Sequence, residues 1–329
     1  MLIIGLNWLG DAIMSMPALQ LFRDQHPDWR ITMLVKPPLV SLWEMHEAVD
    51  VIEILEPGTR GVYTTGRRLT GELFDRAYIL PNSFRSALVP WLGGIRQRIG
   101  VRGQFRGYTI NRPIRFAADV DHQHQQFEIF TLLGMALPPE GPPLPALKIP
   151  PAELIKAEQL LPAGPAPRIG CIPGAARGSS KQWPEAHFIS LIRQMLDESD
   201  TRVALLGTAS DHVLCERIAT SLDAADRVVN LAGTTSLKTF TALLSLLNGV
   251  VANDSGGMHL AAAVGTPLVA LYGITDPGKT GPLGPHARVL QKSETRSRDV
   301  PRVSAEAEAA LASILPEEVW EAMKGSLRL

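Results

Sequence analysis

Short apolar runs alternate with longer amphipathic segments along nearly the whole chain. The first half of this pattern predicts strands at 2–6, 30–35, 51–55 and 77–80, and helices at 11–25, 38–46, 65–74, 83–92 and 122–135. The second half predicts strands at 168–172, 203–207, 228–231, 249–253 and 267–272, and helices at 184–197, 211–222, 237–247, 258–264 and 304–323. Such alternation is typical of parallel sheets that helices cover on both faces.

A proline-rich segment divides the pattern into two sets. Residues 137–151 read LPPEGPPLPALKIPP, and seven of these fifteen residues are proline. Because proline fixes φ and donates no backbone hydrogen bond, we interpret this segment as a linker. The sequence therefore predicts an α/β protein with two doubly wound domains, 1–150 and 151–329. Ligands of such domains bind at the carboxyl ends of the strands.

The overall charge conceals a local excess of arginine. The 329 residues include 32 basic and 33 acidic residues, a net charge of −1. Residues 60–115, however, contain eleven arginines against Glu72 and Asp75, which gives this segment +9 and leaves −10 for the remainder. Solvated surface arginines are one interpretation, and a binding surface for an anionic partner is the other. Aromatic residues are too sparse here for a nucleic-acid stacking platform, so we expect no nucleic-acid partner.

Cysteine usage and the first strand indicate a cytoplasmic protein. The chain has two cysteines, Cys171 and Cys215, both in apolar segments, so we expect buried, reduced thiols without a disulfide framework. The first residues have no basic leader, and Asp11 interrupts the apolar stretch, so we interpret them as a strand and expect no signal peptide or membrane span. The spacing of His, Asp and Glu suggests no metal site and we expect no cofactor; dinucleotide, P-loop and nucleophile-elbow sites are not expected either.

Three loops that follow predicted strands carry the candidate chemistry. The first contains Asn7 and Asp11, where an aspartate either caps the next helix or acts as a general base. The second, residues 173–184, combines small residues with the mobile cation Lys181, although an ordinary surface loop would look similar. The third, residues 253–259, is a glycine-rich turn before an apolar helix, which suits either a phosphate or simple helix capping.

Three stretches resemble glycosyltransferase family 9, the bacterial heptosyltransferases of lipopolysaccharide core synthesis. They are LIIGLNWLGDAIMSMPAL, PGAARGSSKQWP and VVANDSGGMHLAAAVGTPLVALYGITDP, which occur in the family's order and span both predicted domains. The resemblance implies a GT-B fold, in which two Rossmann-like domains face a cleft. Its first domain would bind the acceptor, and its second domain, with closing helices, would bind the nucleotide sugar.

The resemblance also implies site residues. Asp11 would be the general base and Lys181 the lysine that contacts the diphosphate. The other donor-binding residues would be Asp211, Thr235, Asp254, Ser255, Gly256, Gly257 and His259. The departure from the family at 290–301 leaves that segment without a role.

The expected reaction is inverting, metal-independent transfer of heptose from ADP-heptose to the first heptose of the lipopolysaccharide inner core. A lysine and a helix N-terminus can stabilise a leaving diphosphate without a metal. For the anionic lipid A-core acceptor we expect binding by Asn7, Arg96, Arg98, Arg102 and Arg106, at the cytoplasmic face of the inner membrane. Three alternatives stay open: a family 9 enzyme for another position, a GT-B isomerase such as a UDP-sugar 2-epimerase, and a non-catalytic member that binds a sugar nucleotide or glycolipid.

Overall fold

The computed structural model describes residues 1–103, 105–116, 123–297 and 300–327. The chain divides into two compact units, Met1–Lys148 and Ile149–Leu329, so the division lies two residues before the predicted boundary.

The first unit is built on a six-stranded parallel sheet. Its strands are β1 (Leu2–Ile4), β2 (Thr32–Val35), β3 (Val51–Ile54), β4 (Arg76–Ile79), β5 (Gln97–Val101) and β6 (Arg112–Ile114). Their order across the sheet is β3-β2-β1-β4-β5-β6, the order of a dinucleotide-binding fold. Its α-helices are α1 (Leu9–Gln25), α2 (Val40–Trp43), α3 (Gly58–Leu69), α4 (Phe84–Leu92) and α5 (Gln126–Leu133).

The second unit repeats this topology. Its strands are β7 (Arg168–Ile172), β8 (Arg202–Leu205), β9 (Val228–Asn230), β10 (Gly249–Asn253), β11 (Leu268–Leu271) and β12 (Ala287–Leu290). They lie in the order β12-β11-β10-β7-β8-β9. Read from the β9 edge, this is the strand order of the first sheet, with β7 in the place of β1 and β10 in the place of β4. Its α-helices are α6 (Pro151–Leu160), α7 (Glu185–Glu198), α8 (His212–Thr220), α9 (Leu237–Leu246), α10 (Gly256–Ala263), α11 (Pro277–Thr280), α12 (Ala305–Ala312) and α13 (Pro316–Lys324).

Apolar side chains on both faces of each sheet hold these layers together. In the first unit Leu2, Ile4 and Ile79 are fully or almost fully buried, and in the second Val203, Val251 and Val269 are. Burial of each such side chain contributes about 1.5–3 kcal/mol. The closing helices belong to the core of the second unit, because Trp320 and Met323 of α13 lie in its apolar cluster. Two six-stranded parallel sheets confirm the predicted α/β class.

Several elements depart from the sequence pattern. The helix expected at 65–74 is α3, Gly58–Leu69, because Gly61, Val62, Thr65, Gly66 and Leu69 form its buried stripe. The linker prediction is wrong at its last residue, since Pro151 is the first residue of α6, a position that suits its fixed φ. Missed elements are β5, β6, β12, α6 and α11. The predicted helix at 122–135 begins at Gln126, and its first residue, His122, lies outside the described residues.

The two cysteines are buried as predicted. Cys171 and Cys215 are free thiols, each fully buried. Burial raises the pKa of each thiol to about 12. They are therefore neutral and unreactive in the folded protein.

Candidate functional site

The three predicted loops lie at the switch points of the two sheets, where the strand order reverses: two in the second unit and one in the first. In the second unit this point lies between the neighbouring strands β7 and β10. The Lys181 loop follows β7, and the Asp254 turn follows β10. Because the carboxyl ends of parallel strands lie at the same edge, both segments line one side of the sheet, which is where doubly wound folds bind ligands.

Lys181 and Asp254 form an ion pair at this edge. The Lys181 ammonium group donates a hydrogen bond to Oδ2 of Asp254, and the two side chains are 13% and 8% exposed. A pair this buried is costly to break, because either group left alone would be a desolvated charge. The pair therefore brings together two residues that are 73 positions apart and that the sequence had assigned to one ligand.

Tyr272 lies close to this pair. It follows β11, is fully buried, and donates its hydroxyl hydrogen to the carbonyl of Thr280 over 2.8 Å. Burial, and secondly the negative charge of Asp254, raise the pKa of Tyr272 well above its usual value. The phenol is therefore a neutral hydrogen-bond donor that supports the loop after β11.

Asn253 closes the Lys181 loop from both ends. Its side chain is fully buried at the end of β10; Nδ2 donates to the carbonyl of Pro173 over 2.7 Å, and Oδ1 accepts from the backbone N–H of Trp183 over 3.0 Å. The Trp183 indole N–H in turn donates to the carbonyl of Ile314 over 2.9 Å. Sequence reasoning missed this role of Asn253, although an asparagine that ends an apolar strand is the available signal.

The turn after β10 leads directly into α10. Ser255 precedes the helix in an extended conformation, and its side chain makes no capping hydrogen bond. Its hydroxyl oxygen is buried without a hydrogen-bond partner in the part of the chain that the structure describes. Gly256 and Gly257 are the first helical residues, and a Cβ on Gly257 would lie 2.9 Å from Ile172. This turn offers the partial positive charge of a helix N-terminus to an anion.

His259 is buried in α10, one turn after Ser255. Burial fits the structural interpretation of this histidine as well as the binding one.

Asp211 and Thr235 belong to the neighbouring loops after β8 and β9. The Asp211 carboxylate accepts hydrogen bonds from the backbone N–H and the hydroxyl of Thr208, over 2.8 and 2.7 Å, and so caps its own turn. A Cβ on Gly174 would overlap this carboxylate, so glycine allows the loops after β7 and β8 to pack together. The carboxylate of Asp211 thus has a structural role, and its contact with the donor stays a prediction. Thr235 is half-buried before α9.

In the first unit, Asn7 and Asp11 lie at the equivalent switch point, after β1 and beside β4. Asp11 is the third residue of α1, and Trp8 is the residue that precedes the helix. Asp11 is therefore not the N-cap residue of α1, which removes the simplest form of the capping interpretation. It is half-buried in the first turn, where the helix dipole favours the ionised carboxylate.

The four predicted acceptor arginines divide into two kinds. Arg96 and Arg102 are exposed. Arg98 is half-buried and donates to the carbonyls of Thr109 and Ile95, both over 2.6 Å. Arg106 is 1% exposed and is held by backbone carbonyls and an amide oxygen of its own domain. Burial lowers the pKa of both Arg98 and Arg106. The expectation that all four face an acceptor needs correction, because the guanidinium groups of Arg98 and Arg106 stabilise the fold.

One motif was overlooked in the sequence. Residues 273–280, GITDPGKT, have the spacing of a P-loop, G-x-x-x-x-G-K-T. In the structure this segment forms the four-residue helix α11, and Asp276 accepts a hydrogen bond from the N–H of Gly278 over 2.9 Å. In a P-loop this backbone N–H would point towards a phosphate, but here it already donates to a carboxylate. The segment therefore does not form a P-loop.

Among residues 1–103, 105–116, 123–297 and 300–327, no three His, Cys, Asp or Glu side chains cluster closely enough to hold a metal ion. In the same ranges, no helix has the length and apolar character needed to cross a membrane.

Comparison with known proteins decides the family. The model of glycosyltransferase family 9 (heptosyltransferase) matches residues 62–310. The chain belongs to glycosyltransferase family 9.

Relatives within family 9 agree in function. Lipopolysaccharide heptosyltransferase 2 of Escherichia coli is 35% identical over 88% of this chain and 87% of its own length. Lipooligosaccharide heptosyltransferase 2 of Haemophilus influenzae is 34% identical over 89% and 88%. The solved structure of the E. coli ADP-heptose LPS heptosyltransferase II aligns with a TM-score of 0.85 at 31% identity, and covers 98% of this chain and 97% of that one.

The family 9 fold is shared with an enzyme of another reaction. A UDP-GlcNAc 2-epimerase from Methanocaldococcus jannaschii aligns with a TM-score of 0.56 at 10% identity over 100% of this chain and 92% of that one. This likeness concerns the fold alone. Together with the two Rossmann-like sheets, the comparisons confirm the GT-B class and a family 9 glycosyltransferase.

Proposed function

We propose that this chain is a heptosyltransferase II: it moves heptose from ADP-heptose onto the first heptose of the lipopolysaccharide inner core. The names of the most similar relatives support this substrate pair. The observation that carries the proposal is the buried Lys181–Asp254 pair beside the N-terminus of α10. This site combines a cation and a helix N-terminus, which suit a diphosphate, with a carboxylate, which suits sugar hydroxyls.

On the donor side, Lys181 stabilises the negative charge that grows on the diphosphate as the sugar leaves. The backbone N–H groups of Ser255, Gly256 and Gly257, at the N-terminus of α10, donate hydrogen bonds to a phosphate oxygen. Asp254 then accepts hydrogen bonds from sugar hydroxyls. Thr235 contacts the nucleotide, and His259 orients the turn or contacts a phosphate. Because Lys181 begins paired with Asp254, the donor has to share or replace that partner.

On the acceptor side, Asp11 removes the proton from the attacking hydroxyl, and Asn7 helps to position that group. The acceptor oxygen forms a bond to the anomeric carbon while the bond from that carbon to the phosphate oxygen breaks. The bonding electrons leave with ADP, and the configuration of the anomeric carbon is inverted. The position of Asp11 in the first turn of α1 supports the charged form that a base needs.

The exposed arginines Arg96 and Arg102 suit an acceptor that carries phosphate and carboxylate groups. We also propose that the enzyme acts at the cytoplasmic face of the inner membrane and has no nucleic-acid partner. The local charge of +9 at 60–115 supports this assignment.

The test is an ADP-release assay with ADP-heptose and three acceptor conditions: an inner-core acceptor with one heptose, the same acceptor without heptose, and none. We expect rapid release only with the singly heptosylated acceptor. Equal release with the unheptosylated acceptor would assign a different position, and release of free sugar without any acceptor would contradict transfer.

A further inference from the structure

The loop after β5 exposes two aromatic side chains almost completely. Phe105 is 94% exposed and Tyr108 is 95% exposed, while Arg106 between them is buried. Isolated exposed aromatics are common on protein surfaces, but two within four residues make a small apolar projection. The buried arginine shows that the loop is anchored and that the exposure of its neighbours is built into the fold.

Arg106 anchors this loop to two neighbouring segments. Its guanidinium group donates to the carbonyl of Pro81 over 2.9 Å, and also to Oδ1 of Asn82 and the carbonyl of Val101. Pro81 and Asn82 follow β4, and Val101 ends β5. These are adjacent strands, so the loop is fixed at the carboxyl edge of the first sheet, the same edge that carries Asp11.

The backbone of Phe105 is held in an unfavourable conformation. Its φ is +62°, in the left-handed region that few residues other than glycine adopt. Such strain persists only where surrounding contacts impose it, and it concentrates at functional positions. Here the residue with positive φ directly precedes the buried, hydrogen-bonded Arg106, and its phenyl ring is almost fully exposed.

Exposed arginines lie at the same carboxyl edge of the first sheet as this loop. Arg85, in the first turn of α4, follows β4, and Arg102 follows β5; both are exposed, and the segment 60–115 carries +9. A third exposed aromatic, Phe84, begins α4 two residues after Asn82, which Arg106 binds. Aromatic rings flanked by arginines are the combination that lies in the headgroup region of an anionic bilayer.

We infer that Phe105 and Tyr108 form a bilayer anchor, which inserts between the headgroups of anionic phospholipids while Arg85 and Arg102 bind the phosphates. This rests on the proposed function, since an enzyme that modifies a lipid-linked acceptor gains from a contact beside its acceptor end. Aromatic insertion supplies the apolar part of the binding, and the arginines supply the part that salt screens.

The test is co-sedimentation with vesicles of phosphatidylethanolamine and phosphatidylglycerol, against neutral phosphatidylcholine vesicles. Wild-type protein should bind the anionic vesicles, and added salt should weaken binding. The F105N/Y108S variant should bind at least about tenfold more weakly. Asparagine is chosen because it tolerates the left-handed backbone. The matched control, Y63S/L73S, removes two apolar side chains that are exposed elsewhere in the first unit and should bind within about twofold of wild type.

Three results would overturn the inference: no wild-type binding to anionic vesicles, equal binding by F105N/Y108S, or a wild-type dimer that only this variant disrupts while vesicle binding is unchanged. Turnover on a deacylated, soluble acceptor separates this inference from the proposed function. F105N/Y108S should keep that turnover; failure of wild-type turnover would refute the proposed function, whatever the vesicle result.

Discussion

The switch points of the two sheets are built from the same topology but are held in different ways. In the second unit, buried side chains join the loops: Asn253 clamps residues 173 and 183, and Lys181 pairs with Asp254. In the first unit, buried Arg106 joins the segments after β4 and β5, but Asp11 lies in a helical turn beside a half-exposed Trp8, and the loop after β5 presents Phe105 and Tyr108 to solvent. A closed, preorganised edge suits a small charged donor, whereas an open edge suits a large lipid-linked acceptor.

The largest effect should come from the open side. Asp11→Ala removes the proposed base, so transfer should fall about 10²–10⁴-fold while ADP-heptose binding stays within about twofold of wild type. Steady-state ADP release and calorimetric titration measure the two quantities. Asp24→Ala, an exposed position of the same helix, is the control and should leave both unchanged. Near-normal turnover of Asp11→Ala would remove Asp11 from the chemistry.

On the closed side, Lys181→Ala should weaken donor binding and slow transfer together. Loss of one preorganised charge at the leaving group costs about 10²–10³-fold in rate, and it leaves Asp254 buried without its cation. The exposed Lys156→Ala is the matched control. Unchanged kinetics in the Lys181 variant would show that the pair serves stability alone.

A pair of asparagines, Asn253 at the end of β10 and Asn111 before β6, compares a buried with an exposed site by stability. Asn253 and Asn111 each make two hydrogen bonds to the backbone through their side chains, but Asn253 is buried and Asn111 is exposed. Asn253→Ala should lower the free energy of unfolding by about 2–4 kcal/mol, because it leaves buried polar groups unpaired. Asn111→Ala should cost at most about 1 kcal/mol. Urea denaturation measures both, and equal losses would contradict the contrast.

The last prediction concerns pH and the interior of the first unit. His46 is buried, accepts a hydrogen bond from the N–H of Ala48 and contacts Gln20, and burial lowers its pKa to about 4. The neutral ring favours the folded state, so this contribution is complete above pH 6.5 and is lost as pH falls towards 4, by up to about 3 kcal/mol. Denaturation curves at both ends of this range should differ less for His46→Gln; an equal pH dependence would contradict the assignment.

The sequence predicted most of the buried layers and less of the edges. Strands such as β7 and β10 are apolar and end in turn residues, so their pattern is unambiguous. Missed strands lie at the edge of a sheet or next to it: β6 reads RPI and has a proline that only an edge strand tolerates. The α3 helix was misplaced because its buried stripe is built from glycine and threonine, which carry little apolar signal.

For the site, loop position was predictable and side-chain use was not. Chain order placed Lys181 and Asp254 after neighbouring strands, but nothing local indicated that they pair with each other. Likewise, Arg98 and Arg106 look like their exposed neighbours in sequence, and only the fold shows that backbone carbonyls bind them. Asn253 lies inside a recognised motif, but its structural role could not be predicted because its hydrogen-bond partners are 80 and 70 positions away.

The structure of the reaction product is the most direct test of heptose transfer with inversion onto an existing heptose. The protein is incubated with ADP-heptose and the singly heptosylated acceptor, and the purified product is analysed by mass spectrometry and NMR. We expect one added heptose, attached to the first heptose, with the anomeric configuration opposite to that of the donor. A retained configuration, an attachment elsewhere, or an unmodified acceptor after donor consumption would contradict it.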